Sequence, residues 1–160
     1  PDLNNNYNSF VRRDMQVVFS DDFESGATTD WVIDNGDSNG WQLLANGGSP
    51  SYPAEGNYAM FDKGNALGVM NNLYSPTIDL TNATSASLSF DYLLVEDSSF
   101  GLSNELYVFI TDANHTSQNM LTAFYTSVSS WTPQICDLTA YCGQEIVINF
   151  FNSIYKCFFV

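Results

Sequence analysis

The chain has 160 residues, which suits a single domain, and a 44% hydrophobic fraction with 12 Phe, 9 Tyr and 3 Trp is enough for a substantial core. Global disorder is therefore excluded. Eighteen acidic residues against four basic ones give a formal net charge of −14, which repels phosphate and excludes nucleic acid and anionic membranes as natural partners. No run approaches the roughly 20 apolar residues of a membrane-spanning helix, so we expect no membrane insertion.

The start of the chain differs in character from the rest. Residues 1–15 are polar, rich in Asn and without periodicity, so we expect a linker or leader there. From residue 16 onward, short apolar runs are separated by Gly, Pro, Asn, Asp and Ser. We therefore predict one domain over residues 16–160, with its last strand cut short at the C-terminus.

Alternation of apolar and polar side chains predicts the strands. Residues 88–92, 106–110 and 146–150 alternate with a period of two, as strands with one face in a core do. No window of a dozen residues has a helical stripe, so we predict an all-β fold, an antiparallel sandwich or barrel. Further predicted strands are residues 16–20, 29–34, 40–45, 57–62, 73–80, 121–126, 131–138 and 155–160.

The same alternation places a second set of aromatic side chains opposite the predicted core face. Tyr107 and Phe109 lie on one strand, and Phe151 lies on another. Left uncovered, they would form an exposed apolar strip that marks a protein interface. The alternative is that the other sheet or a long loop covers them.

Eight segments occur in an order that resembles a known family: 19–24 (FSDDFE), 30–34 (DWVID), 40–42 (GWQ), 56–61 (GNYAMF), 73–80 (LYSPTIDL), 86–92 (ASLSFDY), 105–110 (ELYVFI) and 131–144 (WTPQICDLTAYCGQ). The series resembles the cleaved-adhesin and choice-of-anchor jelly-roll domains of secreted bacterial proteins, which are similar to MAM domains of animal receptors. The resemblance implies a jelly-roll β-sandwich that is a non-catalytic module of a larger protein, binds proteins or glycans and carries structural calcium. Family members commonly end with a pair of aspartates, and this chain ends before that pair.

An acidic cluster near the start of the domain is the predicted calcium site. Asp22 and Glu24 would share one face of a strand, and Asp62 closes a strand that can lie beside them. Calcium takes six to eight oxygen ligands, and adjacent carboxylates repel one another unless a cation lies between them. The alternative is that these carboxylates are solvated charges at a strand end.

Two aromatic residues are the predicted ligand contacts. Tyr52 lies in a Gly- and Pro-rich loop, and Trp131 begins a predicted strand. Flat rings beside Asn, Asp and Gln suit the C–H faces and hydroxyls of sugars. Trp31 and Trp41 are expected in the core instead, because sandwich domains use Trp for packing.

Cysteines and glycosylation motifs bear on the compartment. Cys136 and Cys142 are spaced so that a short-loop disulfide can form. Asn82 and Asn114 each begin an Asn-x-Thr motif for N-glycosylation. With only 4 basic residues and polarity supplied by Asn, Ser, Thr and Asp, the composition favours an extracellular or cell-surface protein.

Catalytic chemistry is poorly supported. His115 is the only histidine, and no Gly-x-Ser-x-Gly motif occurs, so we expect no enzyme. The remaining enzyme hypothesis is a glycosidase that uses two carboxylates. We predict a calcium-stabilised extracellular module for adhesion or glycan recognition, whose partners are a glycan or protein on a cell surface and neighbouring domains of the parent protein. The alternative is a structural module or secreted cargo domain that binds other protein domains and no small ligand.

Overall fold

A computed structural model describes residues 16–36, 40–45, 56, 58–62, 70–94, 105–152 and 157–159. Eleven strands and one 3-10 turn, Thr139–Tyr141, make up its regular structure. Within these ranges no helix is long and apolar enough to cross a membrane. The strands are β1 Val32–Asn35, β2 Trp41–Ala45, β3 Tyr58–Asp62, β4 Asn71–Tyr74, β5 Ile78–Asp79, β6 Ser87–Leu94, β7 Leu106–Thr111, β8 Gln118–Phe124, β9 Thr132–Asp137, β10 Glu145–Asn152 and β11 Cys157–Phe159.

The strands form two sheets, and all of their pairings are antiparallel. Sheet one has the order β1-β4-β10-β7-β8, and β5 pairs with β10 beyond the end of β4. Sheet two has the order β2-β3-β11-β6-β9. Two antiparallel sheets that enclose one apolar core form a β-sandwich, so the predicted all-β sandwich is confirmed.

Two of the predicted strands do not correspond to a single strand of the structure. Residues 16–20 form no strand. The strand predicted over residues 73–80 is divided into β4 and β5 by three residues around Pro76, which has no N–H for a sheet ladder. Ser75 keeps this break attached to β10, because its N–H donates to the Ile148 carbonyl at 2.9 Å and its hydroxyl accepts from the Ile148 N–H at 2.9 Å.

The segment before β1 closes one end of the core. Phe23 is fully buried although its φ is 58°, and its ring lies 5.4 Å from that of Trp31. Asp21 holds the two together, since it accepts hydrogen bonds from Phe23 N at 2.8 Å and from Trp31 Nε1 at 2.8 Å. The expectation that Asp22 and Glu24 share a strand face is therefore wrong, because the chain turns at Phe23.

Hydrogen bonds of Asn35 and Trp41 join the two sheets at one edge. Asn35 at the end of β1 accepts from the Trp41 N–H at 2.8 Å, and its amide donates to the Trp41 carbonyl at 3.1 Å. Trp41 belongs to β2 in the other sheet, where its side chain is buried. Gly40 makes this approach feasible, because a Cβ there would collide with the Asn35 side chain.

Candidate functional site

Four aromatic side chains cover the outer side of sheet one. Along β7, Leu106, Val108 and Ile110 are buried in the core, so Tyr107 and Phe109 point to the opposite side. Phe151 does the same on β10, and its backbone lies opposite that of Tyr107. Tyr125 follows β8 and reaches the same group. We call Tyr107, Phe109, Tyr125 and Phe151 the aromatic face.

The four rings of the aromatic face contact one another. Tyr107 and Phe109 are nearly parallel, with ring centroids 6.0 Å apart and an interplanar angle of 19°. Phe151 lies 5.9 Å from Tyr107 and 6.1 Å from Phe109, and Tyr125 meets Tyr107 edge-on at 5.8 Å. Tyr125 is 56% exposed and the other three rings are half-buried, so the group presents ring surface to solvent. Alternation therefore assigned the correct side to Tyr107, Phe109 and Phe151, and the structure leaves part of their ring surface open to solvent.

Polar groups line the aromatic face. Glu105 precedes β7 and accepts a hydrogen bond from the Tyr107 hydroxyl at 2.7 Å. This bond, with burial second, raises the pKa of Tyr107 well above its usual range, so Tyr107 stays a neutral donor. Asn72 on β4 lies opposite Phe151 in the register.

Asn149 on β10 is the most unusual polar residue of this face. It is fully buried, and its Nδ2 donates to Asn72 Oδ1 at 2.9 Å. Its Oδ1 has no hydrogen-bond partner, and it is the one buried side-chain oxygen or nitrogen in that state among the residues described. In the register, Asn149 lies between Tyr74 on β4 and Phe109 on β7.

The loop between β7 and β8 folds onto the same side of sheet one. His115 stacks on Tyr74 with ring centroids 3.8 Å apart and an interplanar angle of 6°. Burial, and to a smaller extent the nearby Asp34 carboxylate, raises the pKa of Tyr74. The His115 backbone has a φ of 58°, a left-handed conformation that is uncommon outside glycine.

Asp112 organises this loop. Its Oδ1 accepts from the N–H groups of Asn114 at 3.0 Å and Thr116 at 2.9 Å, and its Oδ2 accepts from the hydroxyls of Thr116 at 2.6 Å and Ser117 at 3.0 Å. The bonds from Thr116 are the main reason why the pKa of Asp112 is lowered to about 2. The loop that presents His115 is thus tied to one carboxylate.

The residues predicted to bind calcium have other contacts. Asp22 Oδ1 accepts from the Glu24 N–H at 3.1 Å, and the Glu24 carboxylate lies against Gly56. Asp62 is the last residue of β3, but its side chain lies outside what the structure describes. In the part of the chain with described side chains, no three Asp, Glu, His or Cys residues form a group that could hold a metal ion.

Of the two predicted sugar contacts, the structure describes Trp131, which lies away from the aromatic face. Tyr52 is outside the described residues. Trp131 precedes β9 of the other sheet and is only 9% exposed, which leaves little ring surface for a ligand. Trp31 and Trp41 are both buried, as expected for core residues.

The cysteines and glycosylation motifs are placed as follows. Cys136 is a buried free thiol and Cys142 a half-buried one, so the disulfide that their spacing allows is not formed in the structure. Burial raises the pKa of Cys136. Asn82 and Asn114 are both exposed in turns, and their glycosylation stays a prediction.

Sequence reasoning found three members of the aromatic face and missed the rest. Tyr125 follows a strand whose predicted bounds were shifted by three residues at its start, so its side was not assigned. Asn149 gave a usable signal, because it is the one polar residue within the run from Ile146 to Phe151. The stacking of His115 on Tyr74 joins residues 41 positions apart, and no local pattern reports such a contact.

No family model matches the chain. Bacillopeptidase F of Bacillus subtilis (strain 168) is 29% identical over 149 residues, which cover 90% of this chain and 10% of that protein. The chain therefore spans about a tenth of the length of this curated relative. The resemblance to cleaved-adhesin and MAM domains stays a prediction.

Solved structures with the same fold are carbohydrate-binding modules and a phage protein. TmCBM61 in complex with β-1,4-galactotriose has a TM-score of 0.59 at 14% identity, over 86% of this chain and 88% of that one. The CBM22-2 xylan-binding domain of Paenibacillus barcinonensis Xyn10C has a TM-score of 0.56 at 9% identity, over 89% and 95%. Tailspike protein 4 of bacteriophage CBA120 has a TM-score of 0.55 at 11% identity, over 86% and 19%. These likenesses establish the fold. The chain is a single β-sandwich of the jelly-roll type.

Proposed function

We propose that this domain is a non-catalytic module that binds a glycan on the aromatic face. The observation that carries the proposal is the cluster of four contacting rings on the solvent side of a sheet, with amides and a carboxylate at its border. Aromatic rings stack on the C–H faces of sugars, while amides and carboxylates bond to the hydroxyls. The shared fold with modules that bind galactotriose and xylan supports this function.

The charge of the domain narrows the class of glycan. The net charge is −14, and Glu105 borders the aromatic face directly. The negative charge of the domain repels a polyanionic glycan, whereas a neutral glycan meets no electrostatic repulsion. We therefore propose a neutral polysaccharide or oligosaccharide as the ligand, met outside the cell by a module of a longer protein.

Calorimetric titration with xylohexaose and β-1,4-galactotriose tests this function. Phe109→Ala and Phe151→Ala should each weaken binding about fivefold, because one ring contact of about 1 kcal/mol is lost. Ile135→Ala is the matched control, since Ile135 is an apolar side chain that is 71% exposed on the other sheet. Unchanged affinity in both Phe variants, or binding of heparin in preference to neutral sugars, would contradict the proposal.

The second candidate is a module that packs against other protein domains. Its support is that the chain matches a tenth of a much longer relative and that an aromatic face also suits a protein partner. The same variants separate the two functions. If neither sugar binds, and Phe109→Ala abolishes association with a neighbouring domain of the parent protein, the aromatic face serves a protein contact.

Calcium binding is a separate proposal, which rests on the sequence resemblance and on Asp22, Glu24 and Asp62. The described carboxylates form no ligand group of three, so the site requires the Asp62 side chain or further oxygen donors. A ligand of the native state stabilises it by about 2.7 kcal/mol at a hundredfold excess over Kd. A calcium-dependent rise in Tm that Asp22→Asn abolishes supports the site, and a flat titration rejects it.

A further inference from the structure

The unpartnered oxygen of Asn149 needs a physical explanation. Buried polar atoms are almost always hydrogen-bonded, because a buried acceptor without a partner loses its bond to water and gains nothing in return. Asn149 Oδ1 is buried without a partner, although Nδ2 of the same amide is bonded to Asn72. A donor supplied from outside the chain would remove this cost.

The position of Asn149 connects it with the aromatic face. In the register it lies opposite Phe109 on one side and Tyr74 on the other, and all three side chains are on the outer side of sheet one. Tyr74 offers one further ring in this row, but it is buried, and the His115 ring lies flat against it at 3.8 Å. The aromatic face therefore continues beneath His115.

The His115 ring is placed so that a sugar ring could replace it on Tyr74. Its ring gives Tyr74 a flat, partly polar cover, and a sugar ring that stacks on Tyr74 would replace that cover by one of the same kind. The left-handed backbone of His115 costs energy for a residue other than glycine, so the stacked position is held against local strain. The loop around it is anchored by Asp112 and need not unfold for the ring to swing away.

We propose that Tyr74 and Asn149 form a second sugar subsite, which His115 covers and which a bound glycan opens by displacing the His115 ring. The sugar stacks on Tyr74, and one of its hydroxyls donates to Asn149 Oδ1. This subsite rests on the proposed glycan function of the aromatic face. It assigns His115 as a cover that lowers affinity and Asn149 as a residue that selects for a hydroxyl at one position of the glycan.

Titration of xylohexaose and β-1,4-galactotriose into two variants tests the subsite. His115→Gly removes the cover at a backbone conformation that glycine adopts freely, so we expect Kd to fall at least threefold, because apparent affinity rises with the competent fraction. Asn149→Leu removes the acceptor at similar volume, so we expect binding about fivefold to tenfold weaker and a Tm that does not fall. Asn114→Gly loosens the same loop without touching the cover and should leave Kd unchanged.

The outcomes separate the subsite from the aromatic face. If Phe109→Ala loses binding while His115→Gly and Asn149→Leu bind as the unaltered protein does, the glycan function stands and the subsite is wrong. If the unaltered protein and His115→Gly bind neither sugar, both proposals fail together. In the double variant His115→Gly with Asn149→Leu, the uncovered Tyr74 ring should restore part of the affinity that Asn149→Leu loses, and no recovery at all would show that His115 does not compete with the sugar for Tyr74.

Discussion

The outer faces of this sandwich differ in surface chemistry, as two neighbouring strands of each sheet show. On sheet two, the outward side chains of β6 and β9 include the exposed polar residues Ser87, Ser89 and Asp137 and one exposed apolar residue, Ile135. On sheet one, the equivalent positions of β7 and β10 hold Tyr107, Phe109 and Phe151. Folding requires only that the inner faces be apolar, so the aromatic residues on one outer face need another explanation.

The difference indicates where to look for function in a fold that is shared by many modules. A polar outer face is the ordinary solution for an antiparallel sheet exposed to water. An outer face with four contacting rings carries a cost in solubility and in aggregation risk, which a binding function offsets. The comparison between the faces thus supports the proposed site on sheet one.

The largest loss in the free energy of unfolding is expected at Phe150 on β10, and its neighbour Phe151 provides the comparison. Phe150 is 1% exposed in the core, whereas Phe151 is half-buried on the aromatic face. Phe150→Ala should cost about 3–5 kcal/mol of the free energy of unfolding, because it leaves a cavity among packed rings. Phe151→Ala should cost about 1 kcal/mol, because its ring keeps access to water. Urea unfolding followed by Trp fluorescence measures both.

The variants Phe150→Ala and Phe151→Ala test whether the core side and the outer side of β10 have different roles. If Phe151→Ala destabilises the domain as much as Phe150→Ala, the aromatic face is a second core and not a ligand surface. If Phe151→Ala folds normally yet loses sugar affinity, stability and binding are divided between the two sides of one strand.

The fold was largely predictable, because apolar and polar side chains alternate along its strands and this alternation can be read from short stretches of sequence. Alternation with a period of two placed β6, β7 and β10 and the side that each turns to the core. Residues 16–20 misled the prediction, because the apolar run Val17–Phe19 has the composition of a strand whether or not a partner strand exists. Pairing partners are set by distant residues, which no local window contains.

The candidate site was predictable only in part. Tyr107, Phe109 and Phe151 were found as a strip because alternation assigns sides. Trp131 was expected to contact a ligand because of its residue type, but its burial depends on the packing of two sheets. The Asn149 oxygen could not be identified from the sequence, because a missing hydrogen bond is a property of the folded surroundings.

A smaller effect is expected where the two sheets are joined. Asn35→Ala removes both hydrogen bonds to the Trp41 backbone and leaves an N–H and a carbonyl unpaired, which should cost about 1–3 kcal/mol. Asn35 lies at the edge formed by β1, and the aromatic face extends from β10 to β8. We therefore expect a lower Tm and an unchanged sugar affinity. Asn119→Ala, an exposed amide on β8, is the control for stability.

The Asn35→Ala variant tests whether sugar binding on sheet one depends on the hydrogen bonds that join the two sheets. Loss of sugar affinity at temperatures well below its Tm would show that the aromatic face depends on the joint between the sheets. The contacts place no part of the aromatic face at Asn35, so such a result would contradict the assignment of binding to sheet one alone.

The smallest effect concerns the loop that lies over one end of the aromatic face. Asp112 has a pKa of about 2 in the folded protein against an ordinary value of 3.8, so its carboxylate form is favoured by folding. The stabilisation is fully present above about pH 4 and is lost as the pH falls from about 4 to about 2. Tm measured between pH 6 and pH 2 should show this loss in the unaltered protein and a smaller pH dependence in Asp112→Asn.

Thr116→Val tests the cause of the shift. The Thr116 hydroxyl makes the largest contribution to the lowered pKa, so its removal should raise the pKa of Asp112 toward 3.8 and reduce the loss of Tm between pH 4 and pH 2. The carboxylate is exposed, so the change is expected to be only a few degrees. A pH profile identical to that of the unaltered protein would show that the Asp112 bonds do not hold the loop. The stacking contact with Tyr74 alone would then hold His115 in its position over the outer face of sheet one.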